Sequence, residues 1–502
     1  MRSYSKLQNG SDIRGTALSL APDEAVDLTS QAAWDLTLAF AKWLSKTCDK
    51  PIPELRVAVG RDSRLSGPEL QNVVGDALFS AGVTVLDCGM ASTPAMFMSC
   101  IFPEIGADGA VMITASHLPP SKNGFKYFTK NGGLDKSDIK DIVIRAEASE
   151  SEVRDDISDY ESFDLMSLYS AHLRSIIAGG LGCTEEEKPL SGMRIAVDAG
   201  NGAGGFFAKD VLELLGADCR GSRYLEPDGT FPNHASNPEN RAAMEAICEA
   251  VLADGSDLGL IFDTDVDRAA AVDSKGRPIS RNAIIALSAA LIAEDHPGCT
   301  VVTDSITSNE LHVFLEGLGL KHLRYQSGYR NVINKALALC WNGEDAELAI
   351  ETSGHAALRE NYFLDDGAYL AVKIVIKAAQ LKKEGKGIES CIAALKEPLE
   401  AEEYRLPIKA DDFSSYAGEL LSSLEEAVRN GELPGMSLEL PNYEGVRVNA
   451  DAEHGNGWLL IRKSLHEPLL PLNIESGSEG GAAMIKAAIY SWLKKYPLVE
   501  LI

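Results

Sequence analysis

Short apolar runs alternate along the chain with longer stretches that have helical spacing. Each apolar run is rich in β-branched residues and ends abruptly in small or charged residues. The runs are LRVAVGRDSR (55–64), GAVMITASH (109–117), MRIAVDAGNGAGG (193–205), DLGLIFDTDVDR (257–268), TVVTDSITSN (300–309) and ELAIETSGH (347–355). Apolar strands that alternate with helices, such as 32–44 and 241–253, predict α/β layers with largely parallel sheets.

The last hundred residues follow a different pattern. The stretch 445–476 alternates between apolar and polar residues and contains turns, as an antiparallel sheet does, and a helix-like segment follows at 480–496. We therefore predict a C-terminal α+β domain. In the parallel sheets, ligands bind at the carboxyl ends of strands, where the polar residues of this sequence lie.

Composition limits the partners. The chain has 502 residues and a net charge of −27, which disfavours nucleic acid and anionic membranes as partners. A site for an anionic substrate must therefore concentrate arginine, lysine or a cation locally. The nine scattered cysteines favour a reducing compartment. No apolar run approaches the ~20 residues that span a bilayer, and the N-terminus has no signal-peptide pattern.

These features predict a cytoplasmic protein, or one from an organelle such as a plastid if a transit peptide is removed upstream. They predict no membrane association. They give no prediction of oligomeric state.

Three aspartates alternate directly after the apolar run 258–262. Asp263, Asp265 and Asp267 in DTDVDR would project to one side of an extended chain, and in a loop they can converge. Clustered carboxylates repel each other unless a cation lies among them, and several hard oxygen ligands suit Mg²⁺ or Ca²⁺ rather than zinc. We therefore predict a metal site, with Arg268 holding a carboxylate of the cluster or a substrate phosphate.

An EF-hand loop also begins with D-x-D-x-D. In this chain, Arg268 stands where that loop needs glycine and Ser274 where it needs glutamate, and the motif follows a strand. The EF-hand is therefore rejected. A solvated acidic turn is the remaining alternative, but such a turn rarely follows so apolar a strand.

The apolar run 109–113 leads into the loop TASHLPPSKNGFK (114–126). A catalytic serine usually needs a base or a metal. His117 is adjacent to Ser116, but neighbours on an extended chain point apart, and there is no Gly-x-Ser-x-Gly elbow. We expect instead that the Ser116 hydroxyl, or a phosphate on it, completes the coordination of the cation. Lys126 could act there as a proton donor or acceptor. An ordinary surface turn is the alternative.

Four motifs together resemble the α-D-phosphohexomutases, the family of phosphoglucomutase, phosphomannomutase and phosphoglucosamine mutase. They are GSDIRG (10–15), the serine loop, DTDVDR and ETSGH (351–355), in this order over nearly the whole chain. The resemblance implies three similar α/β domains with mixed, mainly parallel sheets and a C-terminal α+β domain around a central cleft. The expected domains carry the serine, metal, sugar and phosphate loops in turn and cover residues 1–188, 189–278, 279–400 and 401–502.

The resemblance also implies roles for single residues. Ser116 would be the phosphoserine and would bind one Mg²⁺ together with the three aspartates. Lys126 or His355 would move the proton of the sugar hydroxyl, although His355 could also be a hydrogen-bonded structural histidine. The residues expected to bind the sugar phosphate are Arg14, Arg268, Arg330, Glu351, Ser353, Arg462 and Ser464. Arg14 could instead form an ion pair between domains, and Arg61 and Arg64 are interpreted as structural.

The C-terminal phosphate loop, RKSLHEPLLPLNIES (462–476), departs from the family pattern. Leu465 and His466 replace a small or amide residue and a threonine, and Pro471 stands where an arginine is common. Losing these donors should weaken phosphate binding. Tyr329 is a second departure, because many relatives have a histidine or an acidic residue there, whereas Arg330 keeps the basic residue beside it.

We therefore predict a Mg²⁺-dependent phosphohexomutase that interconverts hexose 1-phosphate and hexose 6-phosphate. It would work through phosphoserine and a hexose 1,6-bisphosphate, with a sugar bisphosphate as activator or phosphoryl donor. Its partners would be small sugar phosphates. The alternatives are a glucose 1,6-bisphosphate synthase, a phosphoglucosamine mutase and a non-catalytic sugar-phosphate-binding protein, of which the last fits the intact serine and metal loops least well.

Overall fold

A computed structural model describes residues 2–154, 160–464 and 467–502. The chain forms two compact units. The first contains Met1–Ile284 and Ser353–Cys391, and the second contains Ile285–Thr352 and Ile392–Ile502. The four domain boundaries and the central cleft expected from the sequence stay predictions. None of the helices in the described ranges has the length and apolar content needed to cross a membrane.

The first unit begins with a mixed sheet. Its strands are β1 (Gln8–Asn9), β2 (Asp12–Thr16), β3 (Arg56–Arg61), β4 (Thr84–Met90), β5 (Gly109–Ile113), β6 (Lys122–Thr129), β7 (Gly132–Gly133) and β8 (Glu161–Ser162). They lie in the order β1-β2-β6-β5-β3-β4-β8, with β7 beside β6. Strand β3 is parallel to β4 and β5, whereas β6 is antiparallel to β5 and β2. This register places Lys126 opposite Met112, close to the carboxyl end of β5.

Helices cover this sheet. They are α1 (Ser30–Cys48), α2 (Gly67–Ser80), α3 (Thr93–Met98) and α4 (Lys136–Glu147), whereas α5 (Leu165–Gly180) packs against α3. Helix α1 begins where the Thr29 hydroxyl accepts a hydrogen bond from the Ala32 N–H at 3.2 Å. It ends where Asp49 adopts a left-handed conformation.

A second sheet in this unit carries the aspartates. Its strands are β9 (Ile195–Asp198), β10 (Leu258–Phe262), β11 (Ala269–Asp273) and β12 (Pro278–Ile279), in the order β12-β11-β10-β9, and helix α6 (Arg241–Asp254) packs against it. Strands β10 and β11 form an antiparallel hairpin in which Phe262 pairs with Ala269. The DTDVDR motif is therefore the loop of this hairpin.

The second unit contains a parallel sheet with the order β14-β13-β15. Its strands are β13 (Thr300–Thr303), β14 (Lys321–Arg324) and β15 (Ala346–Ile350), with the helices α7 (Asn282–Ile292), α8 (Asn309–Gly317) and α9 (Tyr329–Trp341). The chain enters this unit within α7 and leaves it after Thr352. It then adds the hairpin β16 (Ala356–Leu358) and β17 (Leu364–Asp365) and helix α10 (Gly367–Lys383) to the first unit.

An antiparallel sheet completes the second unit and confirms the predicted C-terminal α+β pattern. Its strands are β18 (Glu400–Pro407), β19 (Met436–Leu438), β20 (Val446–Ala450), β21 (Gly457–Ile461) and β22 (Leu469–Ser476), in the order β18-β22-β21-β20-β19. Helices α11 (Phe413–Arg429) and α12 (Gly481–Leu493) cover its apolar face. The three sheets with their helices and this fourth, antiparallel sheet confirm the predicted fold class.

Candidate active site

Ser116 lies three residues beyond β5 in a tight, buried loop. Its φ is 49°, in the left-handed region, and its N–H donates to the Thr114 hydroxyl at 2.9 Å. Its own hydroxyl donates to Asp263 at 2.8 Å. The serine loop and the aspartate loop, which come from different sheets of the first unit, therefore meet at this hydrogen bond.

The expectation that Ser116 and His117 point apart is wrong. The Ser116 Oγ and the His117 Nδ1 are 3.3 Å apart, because the left-handed turn at Ser116 brings the two side chains to the same side. Burial, followed by the charge of Arg268, lowers the pKa of His117 to about 3, so the imidazole is neutral. The Ser116 hydroxyl has one proton, which it donates to Asp263. His117 therefore contacts the hydroxyl oxygen but does not accept this proton.

Arg64 holds the backbone of the serine loop. Its guanidinium donates to the carbonyl of Ser116, and to those of Leu118 at 2.6 Å and of Pro119 and Lys122 at 2.8 Å. It also pairs with Asp62 at 3.2 Å, and both side chains are fully buried. These contacts agree with the structural interpretation of Arg64.

The three aspartates converge as their alternation predicts. Asp263, Asp265 and Asp267 are buried, and one carboxylate oxygen of each lies within 4.8 Å of the others. Lys126 reaches them from β6, donating to Asp265 at 3.0 Å and also to Asp267. Thr93, which the sequence analysis did not single out, donates to Asp265 at 2.5 Å.

The electrostatics of this cluster suit a cation. Burial, followed by the charges of Asp267 and Asp265, raises the pKa of Asp263 well above its usual value. Burial lowers the pKa of Lys126, but Asp265 and Asp267 outweigh it and hold that pKa well above its usual value. Among the described residues, Oδ1 of Asp265 and Oδ1 of Asp267 are buried and accept no hydrogen bond. A cluster of oxygen ligands with unused acceptors fits Mg²⁺.

His355 and Arg268 join the same cluster. The Arg268 Nε donates to the His355 Nε2 at 2.8 Å, so the other ring nitrogen, Nδ1, carries the proton that is shared with Asp365. This Nδ1 lies 3.9 Å from Asp267. Burial lowers the pKa of His355, but the charges of Asp365 and Asp267 and the hydrogen bond to Asp365 together raise it above its usual value. No signal in the sequence distinguished Asp365 from other acidic residues that precede a helix.

Arg14 also belongs to the first unit. From β2 it donates to the Thr114 carbonyl at 2.6 Å and to Asp12 at 2.7 Å, so it lies beside the serine loop. Ser353 belongs to the same unit, and its buried hydroxyl oxygen has no hydrogen-bond partner among residues 2–154, 160–464 and 467–502. The roles assigned to these residues from the sequence stay predictions.

The other expected substrate-binding residues lie in the second unit. Glu351 accepts the Gly328 N–H at 2.6 Å, and Arg330 lies in the first turn of α9. The Arg462 Nη1 is 3.9 Å from Glu444, and the Ser464 hydroxyl accepts the N–H of Glu467 at 3.2 Å.

The departures from the family pattern lie in the same unit. Tyr329 opens α9, and Pro471 lies in β22 opposite Arg405. Leu465 and His466, which carry the main departure from the family loop, lie outside the described residues.

The chain matches three family models in sequence order. They are described as phosphoglucomutase/phosphomannomutase alpha/beta/alpha domains I, II and III and match residues 5–153, 169–276 and 280–397. A phosphomannomutase/phosphoglucomutase from Pseudomonas aeruginosa is 30% identical over 474 residues, which is 94% of this chain and 95% of that protein. A phosphoglucosamine mutase from Corynebacterium jeikeium is 30% identical over 388 residues, covering 74% of this chain and 80% of that protein.

Solved structures have the same fold. A phosphoglucomutase/phosphomannomutase family protein from Burkholderia thailandensis aligns with a TM-score of 0.78 and 25% identity, covering 99% of this chain and 98% of that one. The N-acetylphosphoglucosamine mutase of Aspergillus fumigatus, in complex with GlcNAc-6P and magnesium, aligns with a TM-score of 0.56 and 13% identity, covering 98% of this chain and 95% of that one. The second likeness concerns the fold alone.

Proposed function

Since the chain belongs to the phosphoglucomutase/phosphomannomutase family, whose members are isomerases of the phosphohexomutase type, we propose that it interconverts hexose 1-phosphate and hexose 6-phosphate. The observation that carries the proposal is the 2.8 Å hydrogen bond from Ser116 to Asp263, inside a cluster that also contains Lys126. A serine between clustered carboxylates and a buried lysine suits phosphoryl transfer, which needs alignment and charge neutralisation more than covalent chemistry.

Asp263, Asp265 and Asp267 would hold Mg²⁺ together with Ser116 or its phosphate. Bound Mg²⁺ would neutralise negative charge on the phosphoryl group that moves. The protein adds positive charge of its own, because Arg14 contacts the backbone of the serine loop at 2.6 Å. Arg268 lies in the same cluster, with its Nε 2.8 Å from His355.

Ser116 would carry the phosphoryl group between two half-reactions. In the first, a sugar hydroxyl attacks the phosphorus, the bond from phosphorus to the serine oxygen breaks, and a hexose 1,6-bisphosphate forms. The bisphosphate turns around without leaving, and its other phosphate returns to Ser116. A small amount of sugar bisphosphate would then act as activator, since it recharges any serine that has lost its phosphate.

The sugar hydroxyl must lose a proton as it attacks. The Nε2 of His355 would suit the proton acceptor if Arg268, which now donates to it, releases its lone pair. Charged Lys126, whose pKa is held high by Asp265 and Asp267, suits the donor that returns a proton to the leaving oxygen. Glu351, Ser353, Arg462, Ser464 and Arg330 would bind the hydroxyls and the phosphate that does not react.

Phosphorus NMR tests the proposal directly. Purified protein would be incubated with Mg²⁺, glucose 1-phosphate and a trace of glucose 1,6-bisphosphate. We expect glucose 6-phosphate to accumulate while the bisphosphate stays catalytic in amount. If fructose 1,6-bisphosphate is supplied and glucose 1,6-bisphosphate accumulates at its expense without formation of glucose 6-phosphate, the protein is a synthase and not a mutase. Mannose and glucosamine phosphates, tested in parallel, would identify the preferred hexose.

A further inference from the structure

Glu444 accepts hydrogen bonds from two separate segments of the second unit, one containing Ser305 and the other containing Ser327. One of its oxygens, Oε2, accepts the Ser327 N–H at 3.1 Å, the Ser327 hydroxyl at 2.9 Å and the hydroxyl of Ser305. Its other oxygen, Oε1, lies 3.9 Å from the Arg462 Nη1. The carboxylate is mostly buried, with 18% of its side chain exposed. One carboxylate thus links Arg462 to the segment that precedes α9.

That segment also leads to Glu351. Ser327 is followed by Gly328, whose N–H donates to Glu351 at 2.6 Å. Glu444 therefore contacts Arg462, which is expected to bind a phosphate, and is connected through Ser327 and Gly328 to Glu351, which is expected to bind sugar hydroxyls.

Residues near Glu444 also bind the segments that contain Ser305 and Ser327. Arg447 is 2% exposed and donates to the Ser305 and Thr307 carbonyls at 2.9 Å. The Tyr443 carbonyl accepts from the Gln326 side chain at 3.1 Å. Tyr443 and Arg447, which flank Glu444, therefore bind the same two segments as Glu444 itself, those that contain Ser305 and Ser327. These contacts hold the Glu444 carboxylate in place.

Arg462 is oriented without using up its donors. At 3.9 Å the contact with Glu444 is electrostatic rather than a hydrogen bond. Within the described ranges, the Arg462 Nε is buried and donates to no acceptor. A guanidinium that lies near a carboxylate without a hydrogen bond to it can still donate to a phosphate through its terminal N–H groups.

We propose that Glu444 is a positioning residue for substrate binding, which holds Arg462 and Glu351 at the separation that one hexose monophosphate requires. The proposal rests on the proposed function. It adds a residue whose partners named above, Ser305, Ser327 and Arg462, include none of the residues proposed to carry the phosphoryl group or to move a proton.

The test compares Glu444→Ala and Glu444→Gln with wild type. We expect Glu444→Ala to raise the KM for glucose 1-phosphate and for glucose 6-phosphate by the same factor. This factor should be about tenfold, because the variant loses the charge-assisted hydrogen bonds of one carboxylate. The two factors must match if the forward and reverse kcat change equally, because the equilibrium constant fixes the ratio of the two kcat/KM values. We expect kcat to stay within about twofold of wild type. Glu444→Gln keeps an acceptor for Ser305 and Ser327, so its effect should be smaller.

Glu432→Gln is the matched control. Glu432 pairs with Lys495 at 3.0 Å on the surface of the same unit, and both side chains are about half exposed. Its kinetics should equal those of wild type. Thermal melting of every variant checks that it is folded. If Glu444→Ala does not fold, a higher KM in Glu444→Gln than in Glu432→Gln supports the proposal, and equal KM values overturn it.

A binding measurement separates this proposal from the proposed function. Titration calorimetry of glucose 6-phosphate would use Ser116→Ala protein, with and without Glu444→Ala, since neither can turn over. About tenfold weaker binding in the double variant supports the positioning role even if the wild-type protein proves inactive as a mutase. Equal affinity overturns it, as does a fall in kcat at unchanged KM in an active enzyme.

Discussion

The Ser116 hydroxyl donates a hydrogen bond to Asp263 at 2.8 Å, although 147 positions separate the two residues in the chain. Each residue follows a buried strand of a different sheet, β5 in one case and β10 in the other. The bond places the serine oxygen directly beside the three carboxylates and Lys126. Phosphorylation and cation binding would therefore occur at the same point of the first unit.

Ser116→Ala should lower mutase turnover by at least about a thousandfold, because the proposed reaction carries the phosphoryl group on the Ser116 hydroxyl between the half-reactions. A coupled glucose 6-phosphate assay measures turnover, and intact-mass spectrometry should show that the wild-type phosphate is absent from the variant. Ser121→Ala is the control in the same loop, since the Ser121 hydroxyl binds Glu24 at 2.7 Å instead of the aspartates. Wild-type turnover in Ser116→Ala would contradict the assignment.

Mg²⁺ should raise the melting temperature of the wild-type protein, and EDTA should reverse the rise. Asp265→Asn should weaken Mg²⁺ binding by at least about tenfold, because the variant loses a charged oxygen ligand. Thermal melts at a series of Mg²⁺ concentrations measure this without any substrate. Asp141→Asn, at an exposed ion pair on α4, should respond to Mg²⁺ as wild type does. An equal response from Asp265→Asn would place the cation elsewhere.

Arg64→Lys should destabilise the first unit by about 3 kcal/mol, because an ammonium cannot reach all the carbonyls that the guanidinium binds while it also pairs with buried Asp62. We expect a lower calorimetric melting temperature and reduced turnover, since the turn at Ser116 would loosen. Arg61→Lys is the matched control, because within the described ranges Arg61 donates to one carbonyl, that of Asp62, at 3.1 Å. Identical melting of the two variants would refute this role.

Stability should also depend on pH through Asp304, which lies beyond β13 and accepts the Thr352 hydroxyl at 2.7 Å. Burial, followed by the charge of Glu351, raises the pKa of Asp304 to about 8. In the unfolded chain an aspartate has a pKa of about 3.9. Between about pH 4 and pH 8 the unfolded chain therefore loses this proton while the folded chain keeps it, so stability falls as pH rises.

Asp304→Asn has no proton to lose and still accepts from Thr352. Its free energy of unfolding relative to wild type, measured by denaturant unfolding, should increase from pH 5 to pH 8 and then level off, with a slope of at most about 1.4 kcal/mol per pH unit. Asp295→Asn, at an exposed position of the same unit, should show no such trend. A pH-independent difference between Asp304→Asn and wild type would mean that Asp304 is already ionised in the folded protein.

The sequence predicted most of the local structure correctly. The apolar runs became β3, β5, β9, β10, β13 and β15, and the alternating C-terminal segment became β20, β21 and β22. Burial patterns are local, because side chains alternate across a strand and repeat along a helix. The same reasoning placed the aspartates just past the end of a strand, so their convergence could be expected.

The sequence did not predict the contacts between distant segments. The left-handed turn at Ser116, which brings His117 to the same side, depends on the carbonyl contacts of Arg64. Asp365 beside His355 carried no recognisable motif, and neither did Glu444 beside Ser327.

By itself, the sequence determined the order of strands and helices, the family motifs and the residue types available for phosphoryl transfer. Only the tertiary structure decided which of these residues meet. Lys126 reaches Asp265 and Asp267 because β6 pairs antiparallel with β5, which aims that lysine at a hairpin loop of another sheet. Such pairings depend on strand order and register, which arise from packing over the whole unit, whereas hydrophobic periodicity reports only which face of each element is buried.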